Sequence, residues 1–238
     1  MQRLADGARA LGITLSPQQL DAFRLYRDEL LEWNQRFNLT AITDPLEVET
    51  KHFLDSLTLV PAVPDGLGAH SPLVDVGAGA GFPGLVIKIA CPDLSLTLIE
   101  ATGKKARFLE HIVARLSLRD VHIVARRAEE AAHDPSLREA FHLVAARALA
   151  PMPVLAELTL PFCAVGGLVV AHKRGDISEE LRQAERAIRT LGGRLREVKP
   201  VAVPGLEDER SLVVLEKIAP TPAAYPRRPG IPTKRPLV

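Results

Sequence analysis

Cysteine is nearly absent. The chain has two, Cys91 and Cys163, neither in a CxxC pair nor near a histidine at metal-ligand spacing. A structural zinc site needs about four ligands, so no metal is expected and the thiols read as small buried residues. Aromatic residues are scarce too, at 4%. The core must therefore come from Leu, Val, Ile and Ala, which suits helices packed on a parallel sheet. Charge of one sign is also lacking: 30 basic side chains face 29 acidic ones, so overall charge announces no nucleic-acid partner. No apolar run approaches the roughly 18 residues of a membrane span. The first turns carry Arg3, Asp6 and Arg9 and hold no apolar secretory core. A cytoplasmic, reducing setting without a membrane is the expectation. The serine-hydrolase elbow GxSxG is missing, and the histidines form no metal or triad set. His52 and Asp55 are spaced for a hydrogen-bonded pair one helical turn apart.

What is present falls into three zones, and the expected division is 1–68, 69–218 and 219–238. The first reads as helices. Ser16 is an N-cap, Pro17 suits the first turn, and Gln19 closes a capping box. Leu20, Phe23, Tyr26, Leu30, Trp33 and Phe37 then recur at three- and four-residue steps, one apolar stripe on a helix. Asn38-Leu39-Thr40 breaks it. Asp44-Pro45 starts a second helix carrying Phe53, Leu57 and Val60, which Pro61, Pro64 and Gly66 end.

The second zone alternates. Short apolar runs occur at 73–76, 94–99, 121–125, 143–146 and 168–171, with two more at 197–203 and 211–216. Helical segments fit at 84–90, 104–116, 152–160 and 179–191. Strand, helix, strand at this rhythm predicts an α/β fold, a parallel sheet with helices on both faces. The last two runs are joined by a loop too short for a helical crossover and are expected to pair antiparallel. The third zone is rich in proline and has no acidic residue. It reads as an extended tail, not a folded module, whose charges are Arg227, Arg228, Lys234 and Arg235.

The chemistry centres on residues 74–84, Val-Asp-Val-Gly-Ala-Gly-Ala-Gly-Phe-Pro-Gly. An apolar strand runs into glycines and then a helix, a ligand-binding turn at the carboxyl end of the first strand. Gly79 to Gly84 also fits the dinucleotide fingerprint GxGxxG, which leaves an NAD-dependent oxidoreductase open. Asp75, two residues before Gly77, points instead to the Asp-x-Gly-x-Gly-x-Gly pattern of methyltransferases. Glu100, about 20 residues on at the end of the second strand, is placed to accept ribose hydroxyls from either nucleotide. Arg147 is flanked by alanines at the end of an apolar strand. A buried arginine needs a carboxylate, from the protein or from a ligand.

Together these residues resemble the bacterial small-subunit ribosomal RNA methyltransferase G family, also called glucose-inhibited division protein B. The resemblance rests on Asn38-Leu39-Thr40-Ala41-Ile42, on residues 51–57, on the turn ending Phe82-Pro83-Gly84, on Arg147-Ala148 and Lys173, and on Tyr225-Pro226-Arg227-Arg228 followed by Gly230-Ile231-Pro232. It implies a class I, Rossmann-like seven-stranded sheet with an N-terminal helical extension, and S-adenosyl-L-methionine as donor. It implies N7 methylation of guanine 527 in the decoding-region loop of 16S rRNA, with the 30S subunit or its assembly intermediate as partner. By position, Asp75, Gly77, Gly79 and Phe82 belong to the cofactor turn, Glu100, Ala101 and Thr102 surround ribose and adenine, and Ala128 and Glu129 hold the adenine side. Arg147 lies at the methionine end as a positioning residue, with no general base. His52, Lys173 and the four tail cations are the RNA candidates. Two departures touch base positioning: Ala146 where the family often has Ser, and His172 where it often has Leu or Met. A non-enzymatic RNA-binding module, and a methyltransferase of another RNA or of a small molecule, are the remaining alternatives.

Overall fold

The computed structural model describes residues 1–63 and 72–238. The expected boundary after residue 68, and the helix-ending Pro64 and Gly66, lie outside the described residues. Helices α1 (Gln2–Ala10) and α2 (Pro17–Phe37) come first. The capping box is present: Ser16 Oγ accepts from Gln19 N–H, and the Gln19 side chain accepts from Ser16 N–H. The Gln19 amide also donates to the carbonyls of Ile89 and Ala90, at 2.8 and 3.0 Å, so a local cap ties two layers together. In the apolar stripe Phe23, Tyr26 and Leu30 are buried completely, and Leu20, Trp33 and Phe37 partly. Helix α2 stops at Asn38, which is left-handed (φ 49°). Asn34 then holds the exit: its side-chain oxygen accepts from Leu39 and Thr40 N–H, and its amide donates to the Thr40 carbonyl.

The second helix is less regular than its sequence suggests. Asp44 caps α3 (Pro45–Glu47), the chain continues as a π-helical stretch (Val48–Leu54), and α4 (Asp55–Leu57) completes it. A wider turn has a different side-chain period, and such stretches gather at functional sites. The π-helical stretch and α4 carry His52, Asp55 and Ser56.

The sheet is built from β1 (Leu73–Val76), β2 (Leu96–Ile99), β3 (Val121–Val124), β4 (Phe141–Arg147), β5 (Cys163–Arg174), β6 (Gly193–Pro200) and β7 (Arg210–Lys217). Between them run α5 (Gly84–Ala90), α6 (Gly103–Arg115), α7 (Ala128–Ala131), α8 (Met152–Thr159) and α9 (Ser178–Thr190), and α10 (Ile231–Lys234) follows β7. The strand order is β3-β2-β1-β4-β5-β7-β6. The first five strands are parallel, and β7 runs antiparallel to both β5 and β6. The expected antiparallel pair is therefore present, but β7 enters between β5 and β6 rather than at the edge. The nicotinamide-binding sheet has the order 3-2-1-4-5-6, so this topology turns the glycine turn away from the oxidoreductase alternative. The order reverses between β1 and β4, where open α/β sheets bind ligands.

Alternate strand residues feed two cores. Leu73, Ala145, Val170 and Val214 pack with Phe23, Tyr26 and Phe108, while Val74, Val144, Ala171 and Val213 pack with Leu155, Ala184 and Ile188. Helices α1 and α2 share the first of these cores with the sheet. Residues 219–238 correct the expectation of an extended tail: they dock on the enzyme. Glu157 of α8 is buried completely, and Arg227 pairs with its carboxylate at 2.6 Å.

Tyr26 joins helix α2 to the glycine turn. Its hydroxyl donates to the Ala80 carbonyl, and its ring stacks on Phe82. Tyr26→Phe keeps the ring and leaves that carbonyl unpaired. The expected result is a loss of about 1–3 kcal/mol, read as a lower urea midpoint with an unchanged m-value.

Candidate active site

Strand β1 delivers the chain to Gly77, whose N–H is bonded to the Ile99 carbonyl of β2 at 2.9 Å. The turn then needs left-handed backbone. Gly79 has φ +60°, and a Cβ there would face open space with only the Gly77 oxygen nearby, at 3.9 Å. That opening is a cradle for a ligand to approach the backbone. Glu100 secures the turn from β2: its carboxylate accepts from Gly79 N–H at 2.8 Å and from Thr102 N–H at 2.7 Å. Each carboxylate oxygen has two lone pairs, so one on each remains for ribose hydroxyls.

Two cavities meet here. One, of about 310 Å³, is bordered by Gly77, Glu100, Ala101, Thr102, Ala128, Glu129, Leu158 and Thr233. The other, of about 180 Å³, is bordered by Leu39, Thr40, His52, Gly77, Gly79, Phe82 and Arg147. Gly77, Lys105 and Ala148 line both. Lys105 was missed in the sequence because a lysine in the first turn of α6 resembles any solvated helix residue. Ala148 (φ +51°), another shared wall residue, comes directly after Arg147 in a conformation a side chain seldom adopts.

Arg147 finds the carboxylate its burial demanded. It pairs with Asp55 at 2.8 Å, donates to the Lys51 carbonyl at 2.5 Å, and reaches His52 Nδ1 at 3.3 Å. Asp55 binds Arg210 as well, at 2.7 Å. Burial alone would raise the Asp55 pKa, but Arg147, His172 and Arg210 hold it below the usual carboxylate range. His52 lies flat on Phe82, with ring centroids 4.3 Å apart, and the Arg147 guanidinium sits 5.7 Å from the same ring.

Several expected roles change. His52 and Asp55 do not bond each other; both turn to Arg147, and His52 Nε2 meets Thr40 Oγ at 2.8 Å. Burial, and then Arg147, pushes His52 down to about 3, so it is a neutral ring at physiological pH and no phosphate-binding cation. Lys173 is also engaged: it donates to the Ala150 carbonyl at 3.1 Å and pairs with Glu180 at 2.8 Å, which ties it to the loop after β4. Arg227 is committed to Glu157. Arg228, Lys234 and Arg235 are exposed. Asp75 lines neither cavity. It lies fully buried beneath the turn and accepts from Gly84 N–H at 2.8 Å. A Cβ at position 84 would come within 2.9 Å of that carboxylate, which explains the glycine.

Burial raises Asp75 to about 7, although the Gly84 N–H opposes it. A raised carboxylate binds its proton more tightly folded than unfolded, so its contribution is present near pH 4 and is lost as pH rises toward 7. Asp75→Asn keeps the bond to Gly84 without the titration. Urea unfolding across pH 4–7 is expected to show the original protein losing stability relative to this variant by roughly 1.4 kcal/mol per pH unit. Parallel curves would place the Asp75 pKa at its ordinary value.

The comparisons agree with this architecture. Residues 19–213 match the family described as rRNA small subunit methyltransferase G. The ribosomal RNA small subunit methyltransferase G of Dehalococcoides mccartyi (strain CBDB1) is 54% identical over 238 residues, 100% of both chains. The protein of that name from Roseiflexus sp. (strain RS-1) is 48% identical over 237 residues, again 100% of both. Among solved structures, M. jannaschii TYW2 in complex with AdoMet shares the fold with a TM-score of 0.51 at 13% identity, covering 63% of this chain and 71% of that one. No helix among the described residues is long and apolar enough to cross a membrane. The chain belongs to the rRNA small subunit methyltransferase G family.

Proposed function

We propose that this chain methylates N7 of guanine 527 in the decoding-region loop of 16S rRNA, with S-adenosylmethionine as donor and the 30S subunit or an assembly intermediate as substrate. The observation that carries the reading is the junction of the two cavities at Gly77, Lys105 and Ala148. One cavity has the features of a nucleoside site, and the other is a small chamber walled by Phe82, His52 and Arg147.

The residues fit the donor. Glu100 offers free lone pairs beside the open cradle at Gly79. Glu129 borders the same cavity and offers a carboxylate to an adenine edge. When bound, the donor supplies an electrophilic methyl group on a sulfonium. Guanine N7 has a free lone pair, so no proton has to leave before attack and no general base is needed. The protein's task is alignment. Arg147, held on several sides by Asp55, Lys51 and His52, is a fixed wall rather than a swinging arm. A flat chamber beside Phe82 suits a planar base, and N7 lies on an edge that is reachable only when the base is unstacked. The exposed Arg228, Lys234 and Arg235 contact RNA phosphates.

Unmethylated 30S subunits incubated with the protein and radiolabelled S-adenosylmethionine should carry label at N7 of that guanine. Label elsewhere would assign another acceptor. Arg147→Ala should lower turnover by about a hundredfold while S-adenosylmethionine binding persists. Near-normal turnover in that variant would remove Arg147 from the site.

A further inference from the structure

The segment after β7 does more than expose cations. Its start is fixed where Thr221 Oγ donates to the Leu191 carbonyl at 2.8 Å and accepts from Lys217. Its middle is fixed by Arg227, whose backbone N–H and guanidinium both bond Glu157, at 2.8 and 2.6 Å. His133 and Arg138 hold the carbonyls of Pro226 and Tyr225. From these anchors the chain reaches the larger cavity. Gly230 N–H donates to Glu129 Oε1 at 3.0 Å, and Thr233 of α10 is part of the cavity wall, with Glu100 and Glu129. Leu158, next to the anchoring Glu157, lines that cavity too.

We propose that residues 229–238 form a wall of the donor cavity and help select the adenosine end of the ligand, in addition to any contact with RNA. This rests on the reading of that cavity as the S-adenosylmethionine site. Glu129 is the physical link. One of its oxygens is fixed by Gly230, which sets the direction of the carboxylate. The other has no hydrogen-bond partner among the described residues and is free for a donor such as the exocyclic amine of adenine. Thr233 closes the same cavity from the tail. Binding and docking are then linked: a tail that tightens donor binding is itself held more firmly when the donor is bound.

The test compares the full chain, a chain ending at Arg228, and full-length Thr233→Trp, by calorimetry with S-adenosylmethionine and no RNA. The cut after Arg228 retains the Thr221 and Arg227 anchors, so Lys217 keeps its hydroxyl acceptor and Glu157 its cation. Thr233 is exposed, so the tryptophan variant keeps the fold while crowding the cavity. Both variants should bind about tenfold more weakly, the loss of one good contact. Tryptic cleavage after Lys234 of the full chain should slow at saturating S-adenosylmethionine. Equal affinity in all three proteins, with cleavage indifferent to the donor, overturns the proposal. Failure of the full chain itself to bind S-adenosylmethionine overturns the donor assignment, and the wall falls with it.

Discussion

The arrangement depends on one carboxylate. Asp55 is buried between Arg147 at the end of β4 and Arg210 at the start of β7. A buried guanidinium and a largely buried one are tolerable side by side only with an anion between them, because burying an uncompensated charge costs several kcal/mol. The helical layer that supplies Asp55 is thereby fixed on the carboxyl ends of the strands. The same layer lays His52 on Phe82 and encloses the smaller cavity. His172 adds to this seam: its Nε2 lies 3.1 Å from the Asp55 carbonyl and 3.3 Å from Thr58 Oγ. Burial pushes it down to about 4, so it joins the layers as a neutral ring.

Local chemistry was legible in the sequence, and long-range geometry was not. The Ser16 capping box, the antiparallel final pair and the glycine turn follow from neighbouring residues, and all are found in the fold. Arg147 was legible as a residue needing a carboxylate, yet nothing in the sequence named Asp55, which lies on a helix with a π-helical stretch that periodicity does not announce. Lys173 and Arg227 show the opposite limit. A basic residue after a strand or in a proline-rich tail looks available for RNA, but Glu180 and Glu157 engage these two. Asp75 belongs to the donor pattern by position, while its side chain supports the turn from below. A motif records that a residue is required, without saying whether it faces the ligand or holds the groups that do.

The site also shows how a nearly neutral chain can address a polyanion. Net charge is +1, and many cations are spent on internal carboxylates. Near the cavities, those without a carboxylate partner among the described residues, Lys105 and Arg127 on the cavity walls and the exposed Arg228, Lys234 and Arg235 of the tail, are few. Attraction to phosphate is therefore local and screened within about 10 Å at 0.1 M salt. Under the proposed function, shape and the placement of a single base supply most of the discrimination, which accords with a chamber whose walls are held rigidly from behind.

The position of β7 has a consequence for the order of assembly. Among the described residues, strand β6 bonds to no strand except β7, and β7 bonds to β5 on its other side. As the chain leaves the ribosome, residues 193–200 have no place in the sheet until residues 210–217 emerge. Meanwhile β5, long and apolar through its middle, presents an open edge to any passing strand. Arg210 arrives with β7 as well, so Asp55 gains its second cation in the same event that covers the edge. Closure of the sheet and completion of the buried charge cluster are thus one late step. A nascent chain that stalls before it is both unfinished as a catalyst and exposed to aggregation.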